Sequence, residues 1–258
     1  IDIFIRNPKG ITLTKDGVEF LSYARQVVEQ TNLLEERYKS HTETRELFSV
    51  SSQHYAFVVN AFVSLLKRAD MTRYELFLRE TRTYEIIEDV KNFRSEIGVL
   101  FLNSYNRDVL TKMFDDNRLT YTSLFKARPH IFVSKSNPLA KHEVVSLEDL
   151  EEFPYLSYDQ GIHNSFYYSE EILSQIPHKK SIVVSDRATL FNLLIGLDGY
   201  TIATGILNSN LNGDNIVSIP LDIDDEIDIV YLKHEKATLS KMGEKFLDNL
   251  VKEVTFDN

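Results

Sequence analysis

FIRNPKGITLTKDGVEFLSYARQVVE, Phe4 to Glu29, reads in two parts with different periods. Over residues 1–14, two short apolar runs flank Asn7-Pro8-Lys9-Gly10, where proline presets φ and glycine accepts positive φ, so a β-hairpin is expected. Thr14 is suited to cap a helix, and Gly17, Leu21, Ala24, Val28, Thr31 and Tyr38 follow at three-and-four spacing. A stripe that narrow suits a coiled-coil seam, although a helix packed on its own domain gives the same pattern. Because it opens on Ile1 inside a strand pattern, the sequence reads as a fragment lacking its N-terminal end.

Working outward, His41–Glu46 is a polar break, and beyond it short β-branched or aromatic runs alternate with helical patterns. Strands are expected at 47–51, 74–78, 97–102, 119–125, 130–133, 155–158, 182–184, 201–203, 216–219 and 227–232. Helices are expected at 55–67, 84–93, 107–114, 165–173, 188–197 and 239–251. That alternation predicts an α/β fold with parallel strands joined by crossover helices.

The chain has 258 residues, room for about two domains at ~100–200 residues each. Acidic residues outnumber basic ones by 39 to 29, and the resulting charge of −10 argues against a protein that coats nucleic acid or an anionic membrane. Residues 1–45 carry seven of each sign, so the whole surplus falls on 46–258. The lack of cysteine excludes a disulfide framework, a thiolate zinc site, a cysteine nucleophile and a thiol switch, and points to a cytoplasmic location. No apolar run approaches the ~20 residues that cross a bilayer, so no membrane partner is expected.

Several sharper motifs fail. The nine glycines form neither GxGxxG nor a P-loop, so no cofactor is expected, and the seven histidines never fall at HExxH spacing, so no metal is expected. The acidic run Asp222, Asp224, Asp225, Glu226 and Asp228 alternates with Ile223, Ile227 and Ile229, as the wet side of a strand does. No GxSxG elbow and no paired carboxylates appear, so the chain is not read as an enzyme.

Phe4–Glu29 resembles the end of the winged helix-turn-helix and the linker helix of LysR-type transcriptional regulators, with Phe4, Arg6, Leu13, Thr14 and Gly17 matching in order. SDRATLFNLLIGLDGYTIATG, Ser185–Gly205, is similar to the helix-Gly-x-Gly-strand signature of that family's effector domain. It departs in that Leu197-Asp198 separate Gly196 from Gly199. The resemblance implies a wing at 1–14 and a dimerising linker helix at 15–45, followed by two Rossmann-like subdomains of periplasmic-binding-protein type. These take 46–124 with 227–258, and 125–226, joined by two hinge crossings near 125–128 and 222–226. It implies DNA, a small-molecule effector and a second copy of the chain as partners, in a homodimer or homotetramer. Wording around RETRTYEIIEDV, Arg79–Val90, looks like the subgroup controlling methionine or cysteine supply, so a sulphur amino acid or its precursor is the expected effector. A two-lobed solute-binding protein for a transporter is the alternative, and the hairpin with its helix decides against it.

In open α/β sheets ligands sit beyond the carboxyl ends of strands, near helix N-termini. Ser51, Ser52, Gln53 and His54 occupy the first such turn and are suited to hold a carboxylate or amino acid; helix capping with a surface histidine is the plainer reading. Thr81, Asn103, Ser104 and Thr204 occupy comparable turns. Asp159 and Gln160 come from the second subdomain, where Gly161 lets backbone approach a guest. Ser52, Gln53, Asn103 and Thr204 predict a polar, uncharged lining, suited to a small zwitterion or carboxylate rather than an aromatic acid. Arg79 and Arg82 are read as surface partners of Glu80 and Glu85, and Arg6 and Lys9 are the candidates for contact with a DNA backbone.

Overall fold

The computed structural model describes residues 1–8, 10–39, 46–68, 73–207 and 215–255. Two compact units result, 1–45 and 46–258.

In the first unit, β1 (Phe4–Asn7) and β2 (Gly10–Leu13) pair antiparallel, with Phe4 opposite Leu13. The hydroxyl of Thr14 accepts the Gly17 N–H at 2.8 Å and so caps α1, Lys15–Lys39. Gly17 is required by contact, because a Cβ there would stand 2.1 Å from the carbonyl oxygen of Ile3. This fixes the junction between hairpin and rod.

The second unit holds two five-stranded sheets. The first is built from β3 (Glu46–Ser52), β4 (Tyr74–Glu80), β5 (Ile97–Leu102), β6 (Leu119–Ala127) and β12 (Ile227–His234), in the order β4-β3-β5-β12-β6. Strands β3, β4 and β5 run parallel, while β12 is antiparallel to both β5 and β6. The second is built from β7 (His130–Ser134), β8 (Tyr155–Tyr158), β9 (Ser181–Val184), β10 (Tyr200–Ala203) and β11 (Ile216–Pro220), in the order β11-β7-β10-β8-β9. The chain passes from the first sheet to the second between Ala127 and His130, and returns between Pro220 and Ile227. Pairing of Phe125–Ala127 with β12 keeps those residues in the first sheet.

Strand β5 shows why the first sheet is covered on both sides, since all six of its residues are buried. Ile97, Val99 and Phe101 join the core under α2 (Ala56–Arg68) and α6 (Lys241–Thr255), while Leu100 and Leu102 join the core under α3 (Thr83–Lys91) and α4 (Arg107–Asp116). That is the period of two that pleating imposes. Helix α5 (Arg187–Leu197) covers the second sheet through Leu190 and Leu194, and is capped by Asp186, whose carboxylate accepts the Thr189 N–H at 2.8 Å.

One expected helix is absent. Residues 165–173 form only a short turn at Phe166–Tyr168, because Glu170 and Glu171 turn inward to partners described below and the tyrosines stack outward. Tyr167 lies on Tyr105 with ring centroids 4.8 Å apart, and Tyr168 meets Tyr84 edge-on at 6.0 Å. Long-range contacts override a local propensity here.

Candidate functional site

Strand β3 delivers Ser52-Gln53-His54-Tyr55 to the carboxyl edge of the first sheet just before α2 begins. Buried Gln53 fixes this turn. Its Oε1 accepts the Phe101 N–H at 3.1 Å and the Tyr55 hydroxyl at 2.6 Å, and its Nε2 donates to the Thr83 hydroxyl at 2.7 Å. From the second lobe, the Oε1 of Gln160 accepts the Thr83 N–H at 3.2 Å, and its Nε2 donates to Oε1 of Glu170 at 3.0 Å. The circuit closes on His54, whose backbone N–H and Nδ1 lie 2.9 and 2.8 Å from Oε2 of Glu170. A carboxylate of the chain itself therefore occupies the N-terminal end of α2, where free N–H groups and the positive end of the helix dipole favour an anion.

The His54 ring also stacks on Tyr158 at 4.0 Å, with 9° between the planes. Burial disfavours charge on the imidazole, but hydrogen bonding to Glu170 and its negative charge outweigh burial and hold the pKa above 6.5. A raised histidine pKa stabilises the fold fully below the unfolded value, and that contribution is lost as pH rises through the folded one. The gap in melting temperature between the parent chain and a His54→Asn variant is therefore expected to be widest near about pH 6 and to narrow toward about pH 8. A gap that widens with pH would contradict the pairing.

Two more ion pairs join the lobes. Arg187 Nε lies 3.2 Å from Oε1 of Glu80, and Arg82 Nη2 lies 2.5 Å from Oδ2 of Asp159. Burial raises the Glu80 pKa, opposed by the charges of Arg187 and His54. The Arg82 pair is more than a third exposed on both sides and contributes little by itself.

Behind this clasp lies a narrow cleft between the two sheets. Phe57 and Phe101 face it from the first lobe; Phe132, Tyr158, Leu190 and Phe191 face it from the second. Its polar groups are His54, Glu170, Glu171, Arg187, Thr201 and Thr204. Glu171 is 3% exposed. One of its oxygens accepts the Tyr158 N–H at 3.0 Å, and the other has no hydrogen-bond partner. Burial pushes this carboxyl well above the ordinary range, and the charge of Glu170 adds to the effect.

The residues singled out in the sequence divide into groups. His54 and Thr204 line the cleft, while Gln53, Gln160 and Asp159 belong to the clasp around it. Ser51 points elsewhere, to Asp89 and Ser95 at 2.7 Å each, and Ser52 Oγ is buried without a hydrogen-bond partner. Thr81 bonds to Glu85, whereas Asn103 and Ser104 meet Asp225 beside the returning chain. Gly161, with φ of +62°, is approached by the Arg82 guanidinium, which would stand 2.7 Å from any Cβ there. Arg79 donates to Ser95 at 3.2 Å, and Glu80 pairs with Arg187 rather than with either expected arginine. Arg6 is exposed on β1, and Lys9 lies outside the described residues.

The lining is more aromatic than the polar set read from sequence, since strand alternation turns Ser51 away and Asn103 caps its own loop. Glu170, Glu171 and Arg187 were missed. The one available signal was two adjacent carboxylates set between Tyr168 and Ile172 in an otherwise apolar stretch.

Residues 51–255 match the family model described as LysR substrate binding domain. The chain belongs to the LysR family. Those residues form a LysR-type effector-binding domain with the family's two-lobed fold. A cysteine mutant of OxyR from Corynebacterium glutamicum is similar, with a TM-score of 0.61 at 13% identity, over 99% of this chain and 78% of that one. HinK, a LysR family transcriptional regulator from Pseudomonas aeruginosa, is similar with a TM-score of 0.54 at 15% identity, over 94% and 81% of the two chains. At such identities the likeness is one of fold. No curated protein sequence matches this LysR chain significantly. Among its described residues no helix is long and apolar enough to cross a membrane.

Proposed function

We propose that this chain senses a small metabolite and passes the signal to DNA-reading heads carried beyond its hairpin. The observation that carries this reading is the cleft itself, an aromatic chamber closed by bonds that run from one lobe to the other through Gln160, Glu170 and Arg187. A ligand that favours one lobe arrangement shifts the equilibrium only by its differential affinity, ~1–3 kcal/mol in typical allosteric couplings. Hinge crossings near 125–128 and 222–226, a cytoplasmic site of action and, as one candidate effector, a sulphur amino acid belong to the same reading. Calorimetry with methionine, homocysteine and O-acetylserine tests the last point. Joining the chain to its natural upstream sequence and measuring retention of promoter fragments at low salt tests the first, with Arg6 and Lys9 as candidate backbone contacts. Retention and footprint unchanged by every metabolite that binds, or no retention at all, would decide against it.

An exposed apolar line on α1 supports the reading. Phe20, Val27 and Leu34 recur at seven-residue spacing and are 46%, 66% and 58% exposed, an apolar line of the kind that a second helix covers. This line lies one position N-terminal of the Leu21 and Val28 stripe read from sequence. With Phe20, Val27 and Leu34 all changed to Asp, sedimentation should report a monomer at tens of micromolar where the parent chain is a dimer or larger. A monomeric parent would remove the assignment.

A further inference from the structure

We propose that the cleft takes an organic ammonium ion on a flat apolar body, with its charge received by the unpartnered oxygen of Glu171. This rests on the cleft being the effector site, and in specifying a ligand without a carboxylate it departs from the sulphur amino acid expected from sequence. The place where an anion would be drawn, the N-terminal end of α2, is already held by Glu170. Both basic side chains of the cleft are engaged, His54 by Glu170 and Arg187 by Glu80, so a ligand carboxylate would enter beside two paired carboxylates and find no uncommitted basic group.

Glu171 is the opposite case. It is nine-tenths buried or more, lines the cleft, and keeps one oxygen free of any hydrogen bond. The titratable groups around it are Glu170 on its own segment, Tyr158 from β8, Tyr155 at the start of the same strand, and Tyr55 before α2. His54 and the Arg187–Glu80 pair lie further along the lining. None of these donates to the free oxygen. Burial and the charge of Glu170 push this carboxyl well up, so a cation beside it is favoured and an anion penalised. An ammonium group at the free oxygen forms an ammonium–carboxylate pair, and any proton that the carboxyl carries passes to solvent. Aromatic walls from Phe101, Phe132, Tyr158 and Phe191 suit the apolar body and the charge beside it.

Titration calorimetry on the whole chain with 2-phenylethylamine and 3-phenylpropanoate separates the alternatives, because the two share the ring and spacer and differ in charge. The amine is expected to bind about tenfold or more tightly than the anion, a gap that every ~1.4 kcal/mol of discrimination yields. Glu171→Gln should erase the preference, while melting higher than the parent at neutral pH because it no longer holds an ionisable group away from water. The proposal fails if the anion binds as tightly, if Glu171→Gln keeps the preference, or if the amine does not bind. Tight anion binding that Ala203→Phe abolishes would reject the ammonium class and keep the cleft, whereas an amine bound equally by Ala203→Phe would reject the cleft as the site.

Discussion

Glu170→Ala should be among the most destabilising single changes in the chain. It removes the acceptor for the His54 N–H, the His54 ring and the Gln160 amide together, all within a buried clasp. Breaking one side of a buried pair costs about 3–5 kcal/mol, because the surviving charge is left without compensation. In a unit of this size each kcal/mol moves the melting temperature by roughly 2–4 °C. The same variant should also enlarge the radius of gyration in small-angle scattering, since this carboxylate bridges residues 116 positions apart on opposite lobes. Glu170→Gln keeps the shape and part of the bonding and should fall between the two. A fall in stability below about 1 kcal/mol with an unchanged radius would mean that the clasp does not hold the lobes.

Phe246→Ala should cost about 3–5 kcal/mol by a different route, the loss of transferred surface plus the cavity left behind. Phe246 is fully buried on α6, with its ring centroid 5.3 Å from that of Phe48 on β3 and 6.5 Å from that of Phe62 on α2. These rings bind the last helix to the first sheet and its first helix. Denaturant unfolding should show a lower midpoint with an unchanged slope, as expected when packing is lost and the exposed surface is not. A changed slope would show instead that α6 had come away in the native state.

Most of the scaffold was legible because its strands announce themselves. Ile97–Leu102 and Tyr155–Tyr158 match the expected limits, and the other eight strands of the two sheets differ by only one or two residues at an end. Runs of β-branched and aromatic residues between polar turns leave little choice there. The expected helix at 165–173 failed for the reason that also hid the site: the preferences of Glu170 and Glu171 are set by His54, Gln160 and Tyr158 N–H, not by their neighbours in sequence. His54 could be found because it follows a strand and precedes a helix. Its partner could not, because nothing local marks a carboxylate that will cross to another lobe. Likewise Gln53 has the look of a ligand group in sequence, whereas its amide is consumed by Tyr55, Phe101 and Thr83.

The position of β12 has a consequence for how the polypeptide is made. It lies between β5 and β6, yet it is the last strand to be synthesised. Until residue 234 has emerged, the oily middle of the first sheet stands open on two flanks, while every strand of the second is already available to assemble. Maturation is therefore expected to run from the inner lobe outward, with the earliest-born segment completed last. That interval, when bare strand edges await a latecomer, is when a nascent chain is most exposed to aggregation and to chaperone capture.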